Sequence, residues 1–133
     1  PAEAACLVRL MTLKCALRRL RVLGCEATAK LVTLHLREDD PLIDFFRERE
    51  PARLTQIMTF HGDPTTEALA ACFWMKCAAF IADEKLPFRV REVRIEETPT
   101  NTVVVSGDTF DPARCGLRAG AWPWRADMSI NDF

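Results

Sequence analysis

Residues 90–105, VREVRIEETPTNTVVV, run from an alternating strand through paired carboxylates and Pro99 into a second strand. Just upstream the apolar positions change sides, because Phe88 and Val90 are even-numbered while Val93 and Ile95 are odd-numbered. A strand's two-residue period accommodates such a change through a bulge or a shift of register, expected here near Glu92. Residues 102–106 are mostly β-branched and complete an antiparallel, hairpin-like pair that Gly107 and Asp108 close. Glu96 and Glu97 thus stand where a strand stops. That position presents a carboxylate to a ligand, or else leaves two solvated charges in a turn.

Upstream of this pair, Leu86-Pro87 breaks a long helix expected over about residues 64–83. Asp63 suits its N-cap, Pro64 the first helical position, and Glu67 the electropositive first turn. Leu69, Cys72, Phe73, Lys76/Cys77 and Phe80 define one inward stripe. A shorter helix over residues 42–50 opens at Pro41 and Asp44 and ends before Pro51, whose ring disfavours helix in the preceding residue. A second short element occupies residues 53–60. Residues 29–37 read as a strand, and the polar Glu38-Asp39-Asp40 as its turn. Residues 1–23 suit helix by propensity and strand by alternation, and Gly24 separates them from the strand at 29–37. From Asp111 onward Pro, Gly, Trp and Arg dominate, an irregular tail suited to wrapping a neighbour with Trp122 and Trp124. The order predicts an α+β domain over residues 1–110, with helices on one face of an antiparallel sheet and a tail over residues 111–133.

The 133 residues carry 18 Lys+Arg against 19 Asp+Glu, a net charge of -1 that gives no general attraction to nucleic acid or to an anionic membrane. No apolar run approaches the roughly 20 residues that cross a bilayer, and arginines interrupt residues 1–23 too often for a signal-peptide core. A soluble, cytoplasmic protein is expected. The six cysteines form no C-x-x-C pair, and several lie on apolar faces where a thiol packs as a small hydrophobe.

Three stretches carry a resemblance to a known family: Ile43-Asp44-Phe45, Pro64-Thr65-Thr66-Glu67-Ala68-Leu69-Ala70, and Glu97-Thr98-Pro99-Thr100. Together, over residues 29–106, they resemble 6-pyruvoyl-tetrahydropterin synthase and its bacterial relative 6-carboxy-tetrahydropterin synthase. The resemblance implies the tunnelling fold, with a four-stranded antiparallel sheet, and a pterin or purine-like ring held by Glu97 with Thr98 beside it. A carboxylate accepts two parallel hydrogen bonds from neighbouring ring N–H and amino groups, so one glutamate can both hold and identify such a ring. Catalytic members of the family hold zinc with three histidines and move protons with a cysteine and an Asp-His pair. This chain has two histidines, His35 and His61, so a three-histidine site cannot be built within it. Gly24-Cys25-Glu26 and Arg18 stand in the neighbourhoods where the family's zinc histidines are expected. A mixed set of Cys15, Cys25, Glu26 and a histidine is permissible zinc chemistry but has no supporting ligand spacing.

Cys25 is the nearest counterpart of the proton-carrying cysteine, against the alternative of an ordinary loop thiol. His61, with Asp63 beside it, is the candidate acid/base, against an exposed helix-entry histidine. No metal and no cofactor are expected. Two functions are open: a lyase or isomerase acting on a dihydroneopterin-triphosphate-like substrate, or a zinc-free, non-catalytic subunit that binds the ring. Either is expected to oligomerise, with itself or with a catalytic homologue.

Overall fold

The structure is a computed structural model describing residues 2–10, 27–29, 34–98, 100–108, 110–111, 117–127 and 129–133; for 2–10, 27–29 and Glu97 it describes the backbone alone. In chain order the elements are β1 (Ala2–Leu10), β2 (Ala27–Ala29), β3 (Leu34–Arg37), α1 (Pro41–Arg49), a 3-10 turn (Pro51–Gln56), β4 (Ile57–Phe60), α2 (Thr66–Asp83), β5 (Phe88–Thr98), β6 (Asn101–Ser106) and a 3-10 turn (Trp122–Trp124). The mixture of helix and strand fits the α+β class. Of the ambiguous start at residues 1–23, residues 2–10 are strand, and the rest lies outside the described residues. Among the described residues, no helix is long and apolar enough to cross a membrane.

The strand pairing differs from the expected antiparallel sheet. β1 runs parallel to both β2 and β5, and β5 pairs antiparallel with β6, giving the order β2-β1-β5-β6. β3 leaves this group and pairs in parallel with β4, His35 opposite Met58. The connection explains that direction: parallel strands need a crossover of a dozen or more residues, and α1 with the 3-10 turn provides it.

β5 contains the register change that its alternation predicts. Ala4 pairs with Val90 and Ala5 with Glu92, leaving Arg91 as the extra residue. Buried Val90 precedes the bulge and buried Val93 and Ile95 come after it, so even and odd apolar positions reach the same core. A second irregularity lies at the far end, where Glu96 pairs with Thr102 and Thr98 with Asn101, so that Glu97 is the bulged residue. Just past the end of β6 the chain stays close to β5, and a Cβ on Gly107 would stand 3.0 Å from the Val90 carbonyl oxygen.

The helix starts obey capping chemistry. Asp40 caps α1 by accepting the Leu42 N–H at 2.9 Å, with Pro41 at the first position. The long helix α2 starts two residues later than expected. Thr65, not Asp63, is its N-cap and accepts the Ala68 N–H at 3.2 Å, while the Asp63 carboxylate turns to Arg37 at 3.4 Å. The inward stripe buries Leu69, Cys72, Phe73, Lys76 and Cys77, with Phe80 partly buried at its edge.

This stripe packs against Met58 and Phe60 of β4, Val90, Val93 and Ile95 of β5, and Trp122 from the C-terminal segment. Trp122 is 1% exposed and belongs to this chain's own core, in place of the expected contact with a neighbour. Its indole Nε1–H donates to the Thr59 carbonyl at 2.7 Å. Asn131 Nδ2 donates to the Leu54 and Ile57 carbonyls at 2.7 and 2.9 Å. The Ile57 and Thr59 carbonyls lie on the edge of β4 facing away from β3, while the Phe60 carbonyl on the other edge accepts the Glu38 N–H. Side chains of the segment thus cover an edge that would otherwise offer unpaired carbonyls.

Two stability outcomes are expected. Trp122→Ala should cost about 3–5 kcal/mol in urea unfolding, as for other buried aromatic truncations, whereas a side chain that merely rested on the surface would cost well under 1 kcal/mol. His35 sets a pH response: burial against Phe60 holds its imidazole below the ordinary value of 6.5. Its contribution is whole above that value and is lost as pH falls through the lowered one, because the unfolded chain takes up the proton more readily. Between about pH 7 and pH 5 the wild type should lose stability, and His35→Phe should lose less over the same interval.

Candidate functional site

α2 and β5 are joined by a short turn, so they run in opposite directions across the shared core. The start of α2 and the end of β5 therefore lie toward one end of the molecule. Glu97 sits there in the bulge. Thr98 is next, exposed, with its hydroxyl 3.4 Å from that of Thr100. His61 lies between the end of β4 and the start of α2. His61 thus precedes the start of α2, while Glu97 and Thr98 lie at the end of β5. Cys25 lies outside the described residues.

His61 has a different partner from the one expected. Its Nδ1 is 2.8 Å from Glu38 Oε1, and Asp63 is engaged by Arg37 instead. An ionised carboxylate only accepts, so against ionised Glu38 it is Nδ1–H that donates, and a neutral ring then keeps Nε2 as its acceptor. The other oxygen of Glu38 receives Arg118 Nη2 at 2.8 Å, and the same Arg118 nitrogen is 3.6 Å from Asp132 Oδ2. Asp132 Oδ1 also accepts the Trp122 N–H at 2.7 Å and Arg125 Nη1 at 2.9 Å. A chain of charged contacts therefore runs from the buried Trp122 outward to His61. Together Glu38, His61, Arg118 and Trp122 help to enclose a void of about 10 Å³, roughly the space of one water. Glu38 reads in the sequence only as a turn residue and Arg118 only as tail. Neither has a spacing that could have linked it to His61.

The same segment meets Lys76 of α2. This ammonium has no exposed surface; it donates to the Trp122 carbonyl at 3.0 Å and lies 3.3 Å from Asp127 Oδ1. The Phe80 and Trp122 ring centroids are 5.9 and 5.8 Å away. Burial lowers the Lys76 pKa, and Asp127 opposes that shift. Partial burial alone would raise the Asp127 carboxyl, but the Ser129 N–H, Arg125 and Lys76 outweigh it and hold the group below the usual range.

The neighbourhoods of the family's zinc histidines, at Arg18 and at Gly24-Cys25-Glu26, lie outside the described residues. His35 is turned edge-on to Phe60, with ring centroids 5.8 Å apart, and His61 is taken by Glu38. Among the described residues no group of three or more histidine, cysteine or acidic side chains is placed to hold a metal ion. Cys15, Cys25 and Glu26 lie outside those residues.

A cleft of about 760 Å³ opens where α2 ends, lined in part by Trp74, Ile81, Lys85, Arg89, Arg91 and Asp108. Among the described residues, its lining includes none of the candidate site residues His61, Glu97 and Thr98. Glu97 lies nine positions along β5 from Phe88 at the cleft wall, roughly 30 Å, and five from Glu92, so the cleft and the candidate chemistry occupy different levels of the strand. The cleft has charged groups of its own, Lys85, Arg89, Arg91, Glu92 and Asp108, which are not those of the candidate site.

No curated protein and no solved structure matches this chain. The family model described as 6-pyruvoyl tetrahydropterin synthase matches residues 15–108, which include His61, α2 and the Glu-Thr-Pro-Thr segment and stop before the segment that carries Arg118 and Trp122. A match over most of the chain, on the stretches that carry the resemblance, is decisive: this protein belongs to the 6-pyruvoyl tetrahydropterin synthase family and is a pterin-synthase-like protein, with the tunnelling fold that the family implies.

Proposed function

We propose that the protein binds a pterin or purine-like ring through Glu97, with Thr98 beside it. The observation that carries this reading is the placement of Glu97: it falls within the family-matched region and is the one residue of β5 left out of the ladder with β6 between Glu96 and Thr98. Bulges are frequent next to active sites, where the local bend they introduce re-aims a side chain. A carboxylate so placed supplies the paired acceptors that a 2-amino-4-oxo ring requires. His61, held by Glu38, is the proposed proton acceptor and donor, and Cys25 the second proton carrier. The substrate class is then a dihydroneopterin-triphosphate-like pterin, and the reaction a lyase or isomerase step.

A second reading keeps the ring site and drops the chemistry. Two histidines do not make the family's zinc site, and a bound metal would contribute several kcal/mol to polarising the substrate's side chain. On this reading the protein is a zinc-free binding subunit that assembles with copies of itself or with a catalytic homologue. β6 forms an edge of the described sheet, with Val104 47% exposed, and so offers a surface for assembly.

A thermal-shift screen with neopterin, guanine and 7-deazaguanine tests the ring site directly. At about a hundred times Kd the matching ring should raise Tm by on the order of 5–10 °C, and Glu97→Ala should abolish the shift. Absence of a shift with every ring would sink the binding claim. Product formation from dihydroneopterin triphosphate by the purified protein would separate the enzyme from the binding subunit.

A further inference from the structure

We propose that Arg118, from the segment beyond the family-matched region, is a positioning residue that fixes the tautomer of His61 through Glu38. The inference rests on the reading of His61 as the proton-transferring group of the ring site. Its geometry is independent of that reading.

Arg118 stands between two carboxylates. Its Nη2 is 2.8 Å from Glu38 Oε2 and 3.6 Å from Asp132 Oδ2, while the remaining Glu38 oxygen meets His61 Nδ1 at 2.8 Å. Asp132 is itself fixed by the backbone N–H of buried Trp122 and by Arg125. The cation does two things at once. It holds the Glu38 carboxylate in the one orientation that leaves Oε1 for His61, and it screens that carboxylate from the like charge of Asp132. Without it, repulsion and solvation would draw Glu38 outward and release the imidazole. Other charges near the ring do not replace it. Asp39 acts on His61 only through space and is bound two-fold by Arg37, at 2.9 Å on each oxygen, and Asp63 is also engaged by Arg37.

An imidazole bound by a carboxylate at Nδ1 presents Nε2 as its basic atom; a released imidazole is free to exchange tautomers. The segment after the matched domain thereby decides which nitrogen His61 offers to a substrate. A family member that lacked this segment would need another means of orienting the ring.

The test is ¹⁵N NMR of the two imidazoles in full-length protein, at a pH where both are neutral. The chain has just two histidines, so His35 serves as the internal control of folding. Wild-type His61 should be mainly the Nδ1–H tautomer. Arg118→Gln and Arg118→Ala should each lower the ratio of Nδ1–H to Nε2–H by about two- to fivefold, as suits an exposed ion pair, with His35 resonances unmoved. Glu38→Ala should lower it at least as far, and Arg118→Lys should recover part of the ratio. Wild-type His61 in the Nε2–H form, or an unchanged ratio in both Arg118→Gln and Arg118→Ala, would overturn the proposal. The readout needs no ligand, so a failed thermal shift beside a normal tautomer would count against ring binding and leave the coupling standing.

Discussion

A lysine ammonium with no exposed surface is the constraint around which the C-terminal half is arranged. Lys76 lies on the inward stripe of α2, where its neighbours Phe73, Met75 and Cys77 are apolar and give it no oxygen. An uncompensated buried charge of this kind costs several kcal/mol. The oxygens come from outside the helix, from the Trp122 carbonyl and Asp127, and the rings of Phe80 and Trp122 surround the rest. Burial lowers the affinity of Lys76 for its proton while Asp127 raises it. The C-terminal segment and the helix are therefore bound by a need that neither meets alone.

From that anchor the segment reaches two further places. Trp122 and Asn131 donate to the outward carbonyls of β4, which covers that edge of the β3–β4 pair. Asp132, held by the Trp122 N–H, continues through Arg118 to Glu38 and His61. One buried contact thus fixes both the short parallel pair and the charged groups at the entry to α2. The family match ends at residue 108, so this organisation comes from chain beyond the shared domain.

Local chemistry made much of the frame legible in the sequence. The shift of apolar positions from Val90 to Val93 requires a bulge, and Arg91 is that bulge. Pro41 after Asp40, and the Pro-Thr-Thr-Glu run, mark helix starts because their atoms satisfy backbone N–H groups close in sequence. Glu97 was visible for the same local reason, as a carboxylate at a strand end. Features that could not be read depend on distant partners. A parallel β3–β4 pair has no turn signature, and β4 is too short and too apolar to show a period. The 23-position separation of Glu38 and His61, and the longer gap to Arg118, carry no spacing that links them. Trp122 read as an interface residue because composition shows that a tryptophan must be covered without showing what covers it. Asp63 lost both expected positions, cap and histidine partner, to Thr65 and Glu38, because Arg37 claims its carboxylate.

Docking of the C-terminal segment into the core underlies both the fold and the proposed control of His61. Native-state hydrogen exchange of the Trp122 indole N–H, which donates to the Thr59 carbonyl, tests it most directly. The indole proton should exchange only on global unfolding, with the same opening free energy as the amides of buried Cys72 and Phe73 in α2. Exchange as rapid as that of the partly exposed Trp124 indole would mean that the segment opens independently of the core, and would contradict its part in holding the site.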